Sequence, residues 1–190
     1  MVGIMRQLRD LVPRRPLTTP EAMEVAELQA IRLLALSGID GPPVPESVIA
    51  NLPHIEVERM KPSPVSGAAQ WSRGRWLVVL NGNESPGRQR YSLAHEFKHI
   101  LDNPLIHLIY PAFAGLSATD RAEQICDYFA ACLLMPRVWV KQHYFDWGLQ
   151  DPGRLAQRFG TSWTAMQVRL LQIGLWESPN PCTKSEQIAA

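Results

Sequence analysis

Within "YSLAHEFKHILDN", residues 91–103, His95 and His99 stand four apart and Glu96 directly follows the first histidine. On a helix, side chains at that spacing share a face one turn apart, so both imidazoles can reach one metal ion. Glu96 falls beside that face, where a carboxylate can take a proton from a metal-activated water instead of binding the metal. The same five-residue pattern also arises on solvated helices that never meet a metal, so the chemistry needs a third ligand and a scaffold.

The segment "DRAEQICDYFAACLLM" supplies the ligand. It reads as a helix capped by Ser117 or Thr119, stopped by Pro136, with Ala122, Cys126, Phe129 and Leu133 forming an apolar stripe that Ile125, Ala130 and Leu134 broaden. Glu123 and Asp127 put two acids on one side of it, a repulsive pair unless cations or hydrogen bonds balance them. A metal beside Glu123 and a histidine ring nitrogen beside Asp127 would do so. Asp127 would then fix the tautomer of His95 or His99. The other donors fit less well. His107 is out of register with the longer HExxHxxGxxH pattern, Cys126 and Cys132 face the core as small apolar residues, and His54 and His143 lack companions.

The elements that must position these groups are legible upstream. "TTPEAMEVAELQAIRLLALSGI" is a helix capped by Thr19 and stopped at Gly38, with Val25, Leu28, Ile31, Leu34 and Ala35 as its buried face. A short turn at "ESVIANL" precedes a strand at "HIEVERM", and "AAQWSRGRWLVVLNG" gives two strands joined near Ser72 to Gly74. The HExxH helix is expected to begin near Tyr91 or Ser92 and to end before Pro104. After a long apolar loop and the Glu123 helix, the chain is helical again, and "DPGRLAQRFG" and "TSWTAMQVRLLQIGL" are expected to form a helix-turn-helix shape cornered at Gly160.

Composition narrows the class. With 190 residues, 19 Lys plus Arg against 18 Asp plus Glu, and 46% hydrophobic residues, the chain has room for one ordinary core and lacks the basic excess of a protein built to neutralise phosphates. Direct nucleic-acid binding is therefore not expected; on the last helix only Arg169 offers a strong donor. The arginine-containing start has no apolar run after it, no segment is long enough to span a bilayer, and the three cysteines lack disulfide-scaffold spacing. A cytoplasmic location without membrane contact is the expectation.

"YSLAHEFKHIL" followed by "AEQICDYFAACLLMP" resembles the paired signature of the ImmA/IrrE family of bacterial and phage zinc metallopeptidases. There, an HExxH helix precedes one of the form E-x-x-A-(N/D)-x-F-A-x-x-L-L-M-P. His95, His99 and Glu123 match the family's zinc ligands and Glu96 its catalytic base. The similarity extends to the strand hairpin, its asparagine-containing loop and the final helices, roughly residues 22 to 176. Phe97 and Lys98 stand where the family has Leu-Gly, and Lys98 is expected to narrow access to the cleft or tune substrate charge. Cys126 replaces the common alanine.

The resemblance implies an α+β fold with a zincin-like core: a small antiparallel or mixed sheet packed on the HExxH helix, plus a C-terminal helical element. The expected division is a metallopeptidase domain over 18–145, the helical element over 146–177, and flexible tails at 1–17 and 178–190. It further implies a Zn2+-dependent endopeptidase whose protein substrate is a helix-turn-helix repressor of a mobile element or a stress response. The strand "WLVVLN" is expected as an edge that holds extended substrate, and Tyr144 as the candidate oxyanion support. Two other classes compete: a zinc-stabilised protein that inactivates a regulator by binding alone, and a metal-free helix-turn-helix protein.

Overall fold

The computed structural model describes residues 3–112 and 115–176. In chain order these form α1 (Ile4–Arg9), α2 (Thr19–Ser37), α3 (Ser47–Ala50), β1 (Ile55–Met60), β2 (Gly67–Ser72), β3 (Arg75–Asn81), α4 (Pro86–Asp102), α5 (Ile106–Ile109), α6 (Ala118–Leu134), α7 (Arg137–Phe145), α8 (Pro152–Phe159) and α9 (Trp163–Gln172). The architecture is α+β: a three-stranded mixed sheet flanked by helices. β3 is central, pairing parallel with β1 and antiparallel with β2. The β2–β3 turn is two residues long, and Arg73 and Gly74 both have positive φ, as a tight hairpin requires.

This order corrects the expectation for "WLVVLN". β3 is covered on both sides, because "HIEVERM" returns parallel beside it, and the exposed edge belongs to β2. The sheet lies on α4, which in turn packs against α6, and α6 against α2. Val78, Leu80, Leu93, Phe97, Phe129, Ala130 and Leu133 are fully buried where these layers meet. The two helices carrying the chemistry are thus fixed by their apolar faces, leaving their polar faces for other work.

Helix boundaries follow their caps. Ser117 caps α6 reciprocally with Asp120, as its sequence suggests, and Ser162 caps α9 after Gly160 closes α8 with φ +63°. α2 begins one residue earlier than expected, capped by Thr18 with Glu21 in a capping box. α4 begins several residues earlier than Tyr91: Ser85 caps it and Pro86 takes the first helical position. The polar "SPGRQR" ahead of Tyr91 is therefore the cap and first turns of the HExxH helix.

α2 also presents another face than the one expected. Leu28, Ile31 and Ala35 are exposed, while Ala22, Val25, Ala26, Gln29, Ala30, Leu33 and Leu34 are buried. The reason is a polar cluster in the core. Lys98 Nζ donates to Asp102 Oδ1 at 2.7 Å and to Gln29 Oε1 at 2.8 Å; Tyr110 OH donates to Asp102 Oδ2 at 2.6 Å; and Gln29 Nε2 donates to the Leu8 carbonyl at 3.0 Å. Lys98 therefore never reaches the cleft, which corrects the role expected for it; it is 0% exposed. Lys98→Met would leave the Asp102 carboxylate buried without its cation, at an expected cost of about 3–5 kcal/mol in urea unfolding.

Two further expectations change. From residue 3 onward the first segment is packed, not a flexible tail: Leu8 is fully buried, and the Arg9 guanidinium donates to the Ile100 and Leu101 carbonyls at the end of α4. The tail expected at 178–190 lies outside the described residues. Arg169, the lone strong donor on α9, is 0% exposed, donates to the Met135 carbonyl at 2.9 Å and lies 3.7 Å from Glu27. It fastens α9 to the end of α6 and presents nothing to a phosphate. Arg90 bonds the Gly160 carbonyl, tying the α8–α9 corner to α4.

Candidate metal centre

α4 and α6 bring His95, His99, Glu123 and Asp127, four of the six expected site residues, to one place. His95 Nε2 lies 3.1 Å from His99 Nε2 and 3.1 Å from Glu123 Oε2, and His99 Nε2 lies 3.2 Å from Glu123 Oε1. Asp127, one turn along α6 from Glu123, accepts from His95 Nδ1 at 2.9 Å. With its proton on Nδ1, a neutral His95 turns a bare Nε2 lone pair toward His99 and the carboxylate. Acceptors facing one another repel unless a proton or a cation lies among them.

The electrostatics reflect that arrangement. Burial would lower the pKa of His95, but the Asp127 hydrogen bond and the Asp127, Glu123 and Glu96 charges outweigh it and raise the value. Burial, then the charge on His95, push His99 the other way, against the pull of Glu123 and Asp102. The two shifts run in opposite directions because a proton on one imidazole disfavours a second proton on its neighbour. Donors about 2.0–2.1 Å from a tetrahedral ion lie about 3.3 Å apart, close to the separations found here, so the donor set fits Zn2+.

Cys126 lies close by. His95, His99 and Cys126 offer ligand atoms that are all within 4.8 Å of one another, and such a cluster can coordinate a metal. The thiol is 1% exposed, and burial raises its pKa well above the ordinary range despite the nearby Lys98 charge. Glu123 is exposed and lies 3.1 Å from His95 Nε2 and 3.2 Å from His99 Nε2. Cys132 is also buried, with its thiol pushed by burial to about 11.

Glu96 points from α4 toward β2. Burial first, and then the Glu123 charge, raise its pKa, while His95 and a hydrogen bond from the Ala69 backbone N–H lower it. β2 passes so closely that a Cβ on Gly67 would sit 3.1 Å from Glu96 Cγ and 3.2 Å from its Oε1. The sequence reading missed both contacts. A glycine at a strand start is the signal for such a close backbone approach.

Tyr144 sits half-buried on α7 with its ring 5.1 Å from Phe145. Tyr91 OH donates to the Asp127 carbonyl at 3.0 Å, and burial raises its pKa. His107 is exposed on α5, His54 pairs with the Gly74 carbonyl, and buried His143 with the Trp139 carbonyl. None of these three joins the cluster. Among the described residues no helix is long and apolar enough to cross a membrane.

Comparison with known proteins agrees with the geometry. The chain is 30% identical over 127 residues to the radiation response metalloprotease IrrE of Deinococcus radiodurans, covering 63% of this chain and 37% of that protein. It is 35% identical over 63 residues to the protein of the same name from Deinococcus deserti, covering 32% and 22% of the respective lengths. The chain thus spans well under half the length of these relatives. A Mycobacterium tuberculosis transcriptional regulator of known structure shares the fold, with a TM-score of 0.62 at 19% identity over 93% of this chain and 53% of that one. The model of a peptidase family described as the IrrE N-terminal-like domain matches residues 53–171, which include both centre-bearing helices, and this chain belongs to that family.

Proposed function

We propose that this chain is a zinc-dependent endopeptidase that cuts a protein regulator inside the cell, a helix-turn-helix transcriptional repressor governing a mobile element or a stress response. The observation that carries the reading is the convergence of His95, His99 and Glu123 with Glu96 beside them, in a member of a peptidase family. His95, His99 and Glu123 would hold the ion, which when bound polarises the scissile carbonyl and lowers the pKa of the attacking water.

The chain's own residues do the rest. Glu96, with its pKa raised by burial, takes the proton of the attacking water and passes it to the leaving amine. The Ala69 N–H holds its carboxylate against β2. The exposed edge of β2 runs past the same carboxylate, so an extended substrate can add to the sheet there by main-chain hydrogen bonds. Tyr144 is kept as the candidate oxyanion support.

Asp127 orients the His95 ring through Nδ1. Asp127→Ala is expected to weaken zinc affinity about 10- to 100-fold with the fold intact, as read by competition with a chelator. Unchanged affinity would make Asp127 a solvated carboxylate only. The function itself is tested by incubating the zinc-loaded protein with a helix-turn-helix repressor encoded beside its gene and measuring intact masses. Discrete fragments, with casein left whole, are expected; selectivity then comes from docking beyond the scissile bond. An uncut repressor removes the proposal.

A further inference from the structure

A cavity of about 520 Å³ opens next to the metal centre, between α2, the first turns of α4, the middle of α6 and the start of α9. Tyr91 and Asp127 form its wall on the side of the centre, and Met23, Ala131, Ala165 and Val168 supply apolar surface. Among the described residues the charged lining groups are Arg88 and Asp127, and both have partners: Arg88 lies 3.8 Å from Glu84 and Asp127 holds His95. An ionic occupant would find no free countercharge there. The volume exceeds that of any single side chain and falls within the ordinary range for ligand sites, about 300–1,000 Å³, so it holds a large side chain together with the main chain that carries it.

We infer that this cavity receives a bulky apolar side chain of the protein substrate, adjacent to the bond that is cut, and so sets the sequence preference of cleavage. The inference rests on the endopeptidase reading above. Its residues come from four helices, two of which are tied directly: Arg90 joins α4 to the α8–α9 corner, and Gly87 passes so near that corner that a Cβ would meet the Gly160 carbonyl at 2.7 Å. The pocket is therefore held open before substrate arrives, which reduces the ordering cost of binding. Small residues at 131 and 165 leave the space that the side chain fills.

The test compares wild type with Ala165→Phe and Val168→Trp, each verified to be folded and zinc-loaded, on a complex mixture of peptides whose cleavage products are read by mass spectrometry. Wild type is expected to prefer a bulky apolar residue next to the cut bond. In the variants, the ratio of kcat/KM for bulky against alanine-bearing sites is expected to fall by about 10- to 200-fold, the range over which pocket size discriminates apolar side chains. A wild type that prefers small or charged residues, or variants that keep its preference, overturns the inference. If wild type cuts nothing, the endopeptidase reading fails by itself, and the cavity is judged by binding. N-acetyl-tryptophan amide should then shift the Ala131 methyl resonance in wild type and not in Ala165→Phe; no shift in wild type overturns the inference.

Discussion

Glu123→Ala protein is expected to fold normally and to lose zinc affinity by more than the roughly 10- to 100-fold that follows removal of a residue which only orients a ligand. Without this carboxylate, His95 and His99 have lost the charged donor that lies within 3.2 Å of each. Folding should survive because Glu123 is exposed and α6 is held by its opposite face, where Ala122, Ile125, Phe129 and Ala130 are buried. Cys126→Ala is the decisive companion. The thiol lies within ligand range of both rings, but a buried thiol must shed its proton to bind metal, whereas the exposed Glu123 carboxylate already sits 3.1 Å and 3.2 Å from the two ring nitrogens. Metal analysis should therefore show Cys126→Ala and His107→Ala retaining zinc. If Cys126→Ala empties the centre and Glu123→Ala does not, the thiol is the third ligand.

The convergence of His95, His99, Glu123 and Asp127 was largely legible in the sequence because its logic is local. Spacing of four places His95 over His99 and Glu123 beside Asp127, and each helix shows an apolar stripe that fixes which way those groups face. What remained hidden depends on pairings between distant segments. No alternation pattern states that β1 returns parallel to β3 and leaves β2 as the exposed edge, since burial of a strand on both edges is a matter of topology. Hence the contacts of Glu96 with Gly67 and Ala69 could be seen only in the fold.

Lys98 carries the same lesson from the other side. A lysine on the HExxH helix reads as a surface charge, because buried lysines are rare unless paired. Its partners, Gln29 and Tyr110, come from α2 and from the segment after α5, so the pairing has no local signature apart from Asp102 one turn on. The same cluster explains why α2 turns Gln29 inward and Leu28 and Ile31 outward, against a reading based on apolar residues alone. The early start of α4 was missed for a simpler reason. Ser85-Pro86-Gly87 has the composition of a turn, and only the cap from Ser85 to the Arg88 N–H reveals it as a helix start.

Glu96→Gln separates catalysis from binding most sharply, and the expected result is a protein that keeps its zinc but cleaves repressor about 100- to 10,000-fold more slowly. The change keeps the size of the side chain and an oxygen able to accept from the Ala69 N–H, so β2 and α4 should stay in register. It removes the carboxylate assigned to accept the water's proton. Zinc content measured alongside intact-mass assays of the repressor distinguishes the outcomes. Discrete fragments with wild type and almost none with Glu96→Gln support regulated proteolysis. If both proteins abolish the repressor's DNA binding while leaving it whole, the chain acts by complex formation and the metal is structural. Cleavage by both at equal rates would remove Glu96 as the base, because an amide cannot take up the proton that the attack releases.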